Sequence, residues 1–189
     1  MTPPNIPPYL KAVFSSRDIA STVDRLGASI SDWLTSLNLE RDCIAVPVLR
    51  GGIFFYSDLV RSISLPVELV SVKTHAYRAG VTGEQLECVS IEDSELFPEG
   101  RAVLLVDEIC DSGRTLAALS KRLYERGALA VKSAVIVRRQ LASREYEPDW
   151  SGFDFPGDDW LVGYGMQEAG RWRNLPGIYR IDQDAKKTG

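Results

Sequence analysis

The chain has 189 residues, 44% hydrophobic and 25% charged, with 22 basic against 26 acidic side chains and a formal net charge of -4. That length accommodates one full core and is short for two, and the acidic balance excludes a general nucleic-acid surface, which is normally basic. Pro3, Pro4, Pro7 and Pro8 break the first segment, and no apolar run approaches the roughly 20 residues a membrane helix needs, so a cytoplasmic protein without a membrane partner is expected.

Ile19 to Leu37 carries apolar residues at helical spacing (Ile19, Val23, Leu26, Ile30, Trp33, Leu34, Leu37), which predicts an amphipathic helix. Asp42 to Leu49 reads as a buried strand ended by Gly51 and Gly52. Ile53 to Ile63 predicts a helix with Ile53, Phe54, Leu59 and Val60 inward, and Val67 to Lys73 a further strand. From Thr74 to Glu87 the pattern fails around Gly80 and Gly83, which suggests a mobile loop or a two-stranded flap suited to a lid.

Arg101 to Val106 is the most apolar strand, Gly113 to Gly127 a helix closed by glycine, and Val131 to Val137 the next strand. Strand, helix and strand at this spacing imply parallel pairing. The right-handed crossover rule then gives a doubly wound, mostly parallel α/β sheet flanked by helices, with its ligand at the carboxyl ends of the strands. Residues 1–189 are read as a single domain whose core spans about 40 to 140. The segment Tyr146 to Ile181, rich in Gly, Pro, Asp and aromatics, is expected to form a small irregular hood over the sheet edge, with room for an N-terminal contribution.

Cys43, Cys88 and Cys110 show no paired spacing and read as reduced thiols, with Cys110 in a loop-like stretch. A zinc cluster is not expected, because the only histidine, His75, has no cysteine near it in sequence.

The chemistry concentrates in Val103-Leu-Leu-Val-Asp-Glu-Ile-Cys-Asp-Ser-Gly-Arg-Thr-Leu116, an apolar strand that empties into two acids, a third acid, and Ser-Gly-Arg-Thr at the head of a helix. Consecutive amides there, with the helix dipole behind them, suit a phosphate monoester. Ser112 and Thr115 add hydroxyls, and Gly113 lets the backbone approach closely. Asp107 and Glu108 end a buried strand, where carboxylates need hydrogen bonds or a metal. The plainer alternative is that Asp111 and Ser112 only cap the helix while solvent serves the acids. The Gly-x-x-x-x-Gly-Lys of a nucleotide-triphosphate loop is absent. A second motif, Val46-Pro-Val-Leu-Arg-Gly-Gly52, is on its own compatible with an ordinary strand-to-helix turn.

The first motif resembles the 5-phosphoribosyl 1-diphosphate signature of the type I phosphoribosyltransferases. The second resembles that family's short diphosphate loop, in which Leu-Lys-Gly-Gly is frequent and the peptide before the basic residue can be cis; here Arg50 stands for the lysine. From about Asp42 onward the chain looks like the hypoxanthine-guanine phosphoribosyltransferases, notably in Asp58-Leu-Val-Arg61, Trp150 to Pro156, Val162 to Gly165 and Arg173 to Pro176.

This resemblance implies transfer of a phosphoribosyl group from 5-phosphoribosyl 1-diphosphate to a 6-oxopurine, with Mg2+ as cofactor and a homodimer or homotetramer as the assembly. Asp111 matches the acid or base near purine N7. Asp107 and Glu108 match the pair at the ribose hydroxyls, which also serves the metal directly or through water. The 5'-phosphate falls to Asp111, Ser112, Gly113, Arg114 and Thr115, and the diphosphate to Leu49, Arg50, Gly51 and Arg173. The base falls to Ile109, Arg138, Trp160 and Leu161, and the lid carries Lys73 and Tyr77.

Two departures touch the base and metal side. Arg138 replaces a lysine that donates to the purine 6-oxo group, and Gln167 replaces an aspartate that helps hold a metal, a weaker choice because a neutral amide is a poorer magnesium ligand. A different base preference, or a nucleotide sensor without turnover, is the competing expectation.

Overall fold

The computed structural model describes residues 6–39, 42–70, 73–78, 87–92, 96–140 and 145–187, with the backbone alone at 73–78, 87–92 and 187. Its first elements are β1 (Leu10–Phe14), α1 (Ser16–Leu37), β2 (Cys43–Pro47), α2 (Ile53–Ser62), β3 (Val67–Leu69), β4 (Lys73–Arg78) and β5 (Glu87–Glu92). There follow β6 (Ala102–Cys110), α3 (Arg114–Glu125), β7 (Ala130–Arg139), β8 (Trp150–Phe155), β9 (Leu161–Val162), β10 (Ile178–Ile181) and α4 (Gln183–Lys187). No helix among the described residues is long and apolar enough to cross a membrane.

Helix α1 starts at a capping box: the Ser15 hydroxyl accepts from the Asp18 amide while the Asp18 carboxylate accepts from the Ser15 amide at 2.9 Å. It ends at Asn38, whose φ of 46° suits the left-handed cap.

Five parallel strands form the main sheet in the order β3-β2-β6-β7-β8. Residues of β6 alternate between two apolar layers. Ala102, Leu104 and Val106 join the α1 and α2 residues Leu26, Ile30, Phe55 and Leu59 on one face. Val103 and Leu105 join Leu116, Leu119 and Leu123 of α3 on the other. Helices therefore cover both faces. The chain runs from β2 outward to β3, and from β6 outward to β7 and β8, so the topological switch lies between β2 and β6, where such sheets open to ligands.

A second sheet, antiparallel and ordered β1-β10-β9, forms the hood. It draws on the amino-terminal strand, and its residues Leu161 and Ile178 share the apolar layer of α1 and α2.

Several boundaries differ from the sequence expectation. Trp150–Phe155 is not irregular hood but the fifth strand of the main sheet, paired with β7 from Ala134↔Trp150 to Arg139↔Phe155. Its Gly152 and Asp154 hide the strand pattern, and Gly152 serves close packing, since a Cβ there would come within 2.6 Å of the Ile136 carbonyl. Strand β6 continues through Asp107 and Glu108 to Cys110, because Ile109↔Val137 and Cys110↔Arg138 still pair; Cys110 is thus a buried strand residue. Strand β3 stops at Leu69, and Lys73 opens β4.

In α2, Phe55 and Leu59 are the buried positions, while Ile53 and Phe54 stand 48% and 39% exposed. The region read as loop or flap is a flap at the backbone level, β4 pairing antiparallel with β5 from Lys73↔Glu92 to Arg78↔Glu87. Residues 79–86, with Gly80 and Gly83, lie outside the described residues, as do the side chains of Lys73 and Tyr77.

Candidate active site

Two loops meet at the switch point. After β2 the Val48 amide donates to the Val106 carbonyl at 2.8 Å, so the chain stays on β6 until it turns at Leu49 to Gly52. The Leu49-Arg50 peptide is cis. A Cβ on Gly52 would meet the Val106 and Val48 carbonyls at 2.8 and 2.9 Å, so that position requires glycine for close approach, whereas one on Gly51 would overlap only the Glu108 carboxylate, the movable end of a side chain. A Cβ on Gly165 would overlap the Gly51 carbonyl, so the hood touches this loop. Arg173 joins them by donating to the Gly165 carbonyl at 2.5 Å. Arg50, Gly51 and Arg173, far apart in sequence, are therefore neighbours.

Asp107 and Glu108 lie at the carboxyl end of β6. Asp107 is buried, its Oδ1 accepting the Glu108 amide at 2.8 Å. Burial pushes its carboxyl well above the usual carboxylate range, and the adjoining Glu108 adds to the rise.

Asp107 and the residues from Ile109 to Leu116 surround a cavity of about 180 Å³. Gly113, with φ 79°, precedes α3, and no side chain caps the helix. The Arg114 amide reaches the Ser112 hydroxyl only at 3.5 Å, and a helix start without a capping side chain is an arrangement suited to phosphate. The Arg114 side chain pairs with Glu145 at 2.6 Å, while the residue itself lines the cavity. The floor is Tyr146: a Cβ at Gly113 would come within 2.6 Å of its carbonyl, and its hydroxyl bonds Ser133 at 3.0 Å.

A second opening, about 240 Å³, is lined by Glu108, Ile109, Asp111, Arg139, Trp160, Leu161, Met166, Gln167 and Arg173. Asp111 belongs to both openings. The Trp160 indole, 53% exposed, is steadied by its Nε1 donating to the Gln167 carbonyl at 2.9 Å. The Gln167 side-chain oxygen accepts from the Gly170 amide at 2.5 Å.

Arg138, expected at the base, is corrected by the geometry. Adjacent residues of a strand point to opposite faces. Arg139 faces this opening, whereas Arg138 makes a two-pronged pair with Asp154, at 2.6 and 2.7 Å, and a further pair with Glu147. Arg139 escaped the sequence reading because the apolar run ends at Val137; its signal was alternation along a strand two residues longer. Glu145 and Tyr146 carried no motif.

Among the described residues no three His, Cys, Asp or Glu side chains are placed to hold a metal. Asp107 at the cavity by the helix start and Glu108 at the second opening are nevertheless a donor set that suits magnesium, which takes one or two protein carboxylates and completes its shell with water and substrate phosphates.

Residues 11–169, which contain the switch-point loops, the start of α3 and the paired acids, match the model of the phosphoribosyl transferase domain. The chain belongs to the phosphoribosyltransferase family. It is 30% identical over 176 residues to the hypoxanthine phosphoribosyltransferase of Haemophilus influenzae, covering 92% of this chain and 96% of that one. It is 32% identical over 169 residues to the hypoxanthine-guanine phosphoribosyltransferase of Bacillus subtilis, covering 89% and 91%. A hypoxanthine phosphoribosyltransferase mutant of Trypanosoma cruzi, complexed with the product IMP, shares the fold with a TM-score of 0.86 at 22% identity over 98% of both chains.

Proposed function

We propose that the chain transfers the 5-phosphoribosyl group of 5-phosphoribosyl 1-diphosphate to hypoxanthine or guanine with release of diphosphate, a purine salvage reaction. The observation that carries this reading is the position of Asp111, shared between the cavity of uncapped amides and the opening walled by Trp160. A carboxylate there reaches both the sugar phosphate and a stacked base. The names of the relatives support the same acceptor class.

The amides of residues 112–115 hold the 5'-phosphate, and the Arg50–Gly51 loop with Arg173 receives the diphosphate. Asp107 and Glu108 hold the ribose hydroxyls and would hold magnesium, directly or through water. When bound, magnesium neutralises charge on the departing diphosphate. Asp111 moves the base proton, and Trp160, with Ile109 and Leu161, packs the ring, a stacked face being worth about 1 to 3 kcal/mol. Closure of the β4–β5 flap would keep water from the reacting sugar. The whole chain acts as one cytoplasmic catalytic domain, assembled as a homodimer or homotetramer, with neither nucleic acid nor membrane as partner.

The test is diphosphate release from 5-phosphoribosyl 1-diphosphate and magnesium with hypoxanthine, guanine, xanthine, adenine, uracil or orotate. Hypoxanthine or guanine ahead of adenine is the expected result. Adenine turnover at or above hypoxanthine overturns the acceptor, and no release with any base overturns the reaction.

A further inference from the structure

The hood and α2 meet outside both openings, and a buried side chain ties them together. Tyr164, between β9 and β10, is 6% exposed, and its ring belongs to the apolar layer of α1 and α2. Its hydroxyl donates to Asp58 Oδ2 at 2.7 Å, a bond between residues far apart in sequence. Burial, reinforced by that bond to a carboxylate, pushes the hydroxyl well above the ordinary tyrosine range, so it stays protonated and donating. The other Asp58 oxygen accepts from Arg61 at 2.5 Å, so both carboxylate oxygens are engaged.

The backbone around Tyr164 is equally constrained. Its φ of 46° is a left-handed conformation that an aromatic residue keeps only where its surroundings fix it. Its amide donates to the Leu175 carbonyl at 2.9 Å, and the Gly165 amide to the Arg173 carbonyl at 3.0 Å. Gly165 is also the residue that touches the Gly51 carbonyl and accepts from the Arg173 guanidinium. Asp58 thus stands on the helix into which the Arg50–Gly51 loop runs, and Tyr164 directly precedes the residue that leans on that loop. A cavity of about 540 Å³, lined in part by Phe54, Asp58, Arg61, Tyr164 and Leu175, separates α2 from the hood on one side. There the two elements are joined by a hydrogen bond and not by close packing.

We propose that Tyr164 and Asp58 are positioning residues for the diphosphate end of the donor, their bond setting how the Gly165 turn and Arg173 sit against the Arg50–Gly51 loop. The inference rests on the reading of that loop given above. Without the bond the turn shifts on α2, while the start of α3 and the Trp160 indole, held by the Gln167 carbonyl, keep their own supports.

Tyr164→Phe, which keeps the buried ring, and Asp58→Asn, which keeps an acceptor oxygen, are compared with the unsubstituted protein by steady-state kinetics and by calorimetric titration with magnesium diphosphate and with IMP. Loss of a hydrogen bond to a charged group is worth about tenfold, so in Tyr164→Phe the Kd for magnesium diphosphate and the KM for 5-phosphoribosyl 1-diphosphate rise by about that factor. The KM for hypoxanthine and the Kd for IMP, which carries no diphosphate, stay within about twofold. Asp58→Asn recovers most of the loss and carries the test if the phenylalanine variant does not fold. Equal weakening toward diphosphate and IMP, or no change toward either, overturns the proposal. Should the unsubstituted protein bind both ligands without turnover, the reaction reading fails while the titrations still decide the role of the pair; should it not bind magnesium diphosphate, the proposal falls with the reading of the loop.

Discussion

The Glu108 carboxylate rests against the α-carbon of Gly51, so closely that a methyl group on that glycine would take its place. The overlap is with the far end of a flexible side chain, so Gly51→Ala should fold normally while displacing Glu108 from the ribose. We expect a melting temperature within about 2 °C of the parent, a shift of well under 1 kcal/mol, and a KM for 5-phosphoribosyl 1-diphosphate raised by about tenfold or more. An unchanged KM would show that the contact is only packing.

Asp107→Asn combined with Glu108→Gln should abolish donor use with the fold retained. Ligand at about 100 times Kd stabilises a folded protein by about 2.7 kcal/mol, so the parent should melt several degrees higher with magnesium 5-phosphoribosyl 1-diphosphate. The double variant should lose that increment. An equal increment in both proteins would mean that the acids merely meet solvent.

Gly113→Ala is expected to cost stability as well as activity. At φ 79° a side chain is strained by about 1 to 2 kcal/mol, and the new Cβ would come within 2.6 Å of the Tyr146 backbone oxygen, which cannot swing aside. Thermal unfolding should fall by roughly 2 to 4 °C for each kcal/mol. A melting temperature equal to the parent's would remove Tyr146 as the floor of the phosphate loop.

Burial pushes the Cys43 thiol up to about 12, against an ordinary value near 8.5. From about pH 9 the unfolded chain releases that proton while the folded chain keeps it until about 12, so stability falls as pH rises through this window. Tyr56, also raised to about 12 by burial, adds to the loss at the upper end. Cys43→Ala should flatten the alkaline limb of a stability profile measured by denaturant unfolding, and the native thiol should resist iodoacetamide at pH 8. An unaltered limb, or modification before unfolding, would contradict the burial argument.

The sheet was legible where hydrophobic runs are long, as at Arg101 to Val106, and the phosphate loop was legible because Asp111 to Thr115 is contiguous in sequence. What escaped depends on tertiary partners. Trp150–Phe155 becomes a strand only because β7 offers a free edge, and its Gly152 and Asp154 give no alternation to read. Whether Arg138 or Arg139 faces the base opening depends on how far β7 extends, which its neighbours decide. The approach of Arg173 to Gly51 passes through Gly165 and has no local signal at all.

The pairing of β1 with β10, Leu10 opposite Ile181, carries a consequence for biosynthesis. The parallel sheet can assemble once β8 has been made, but the hood waits for a strand near the far end of the chain to reach one made near its start. The wall of the second opening that Leu161 and Arg173 supply is therefore completed only when strands near opposite ends of the sequence have met.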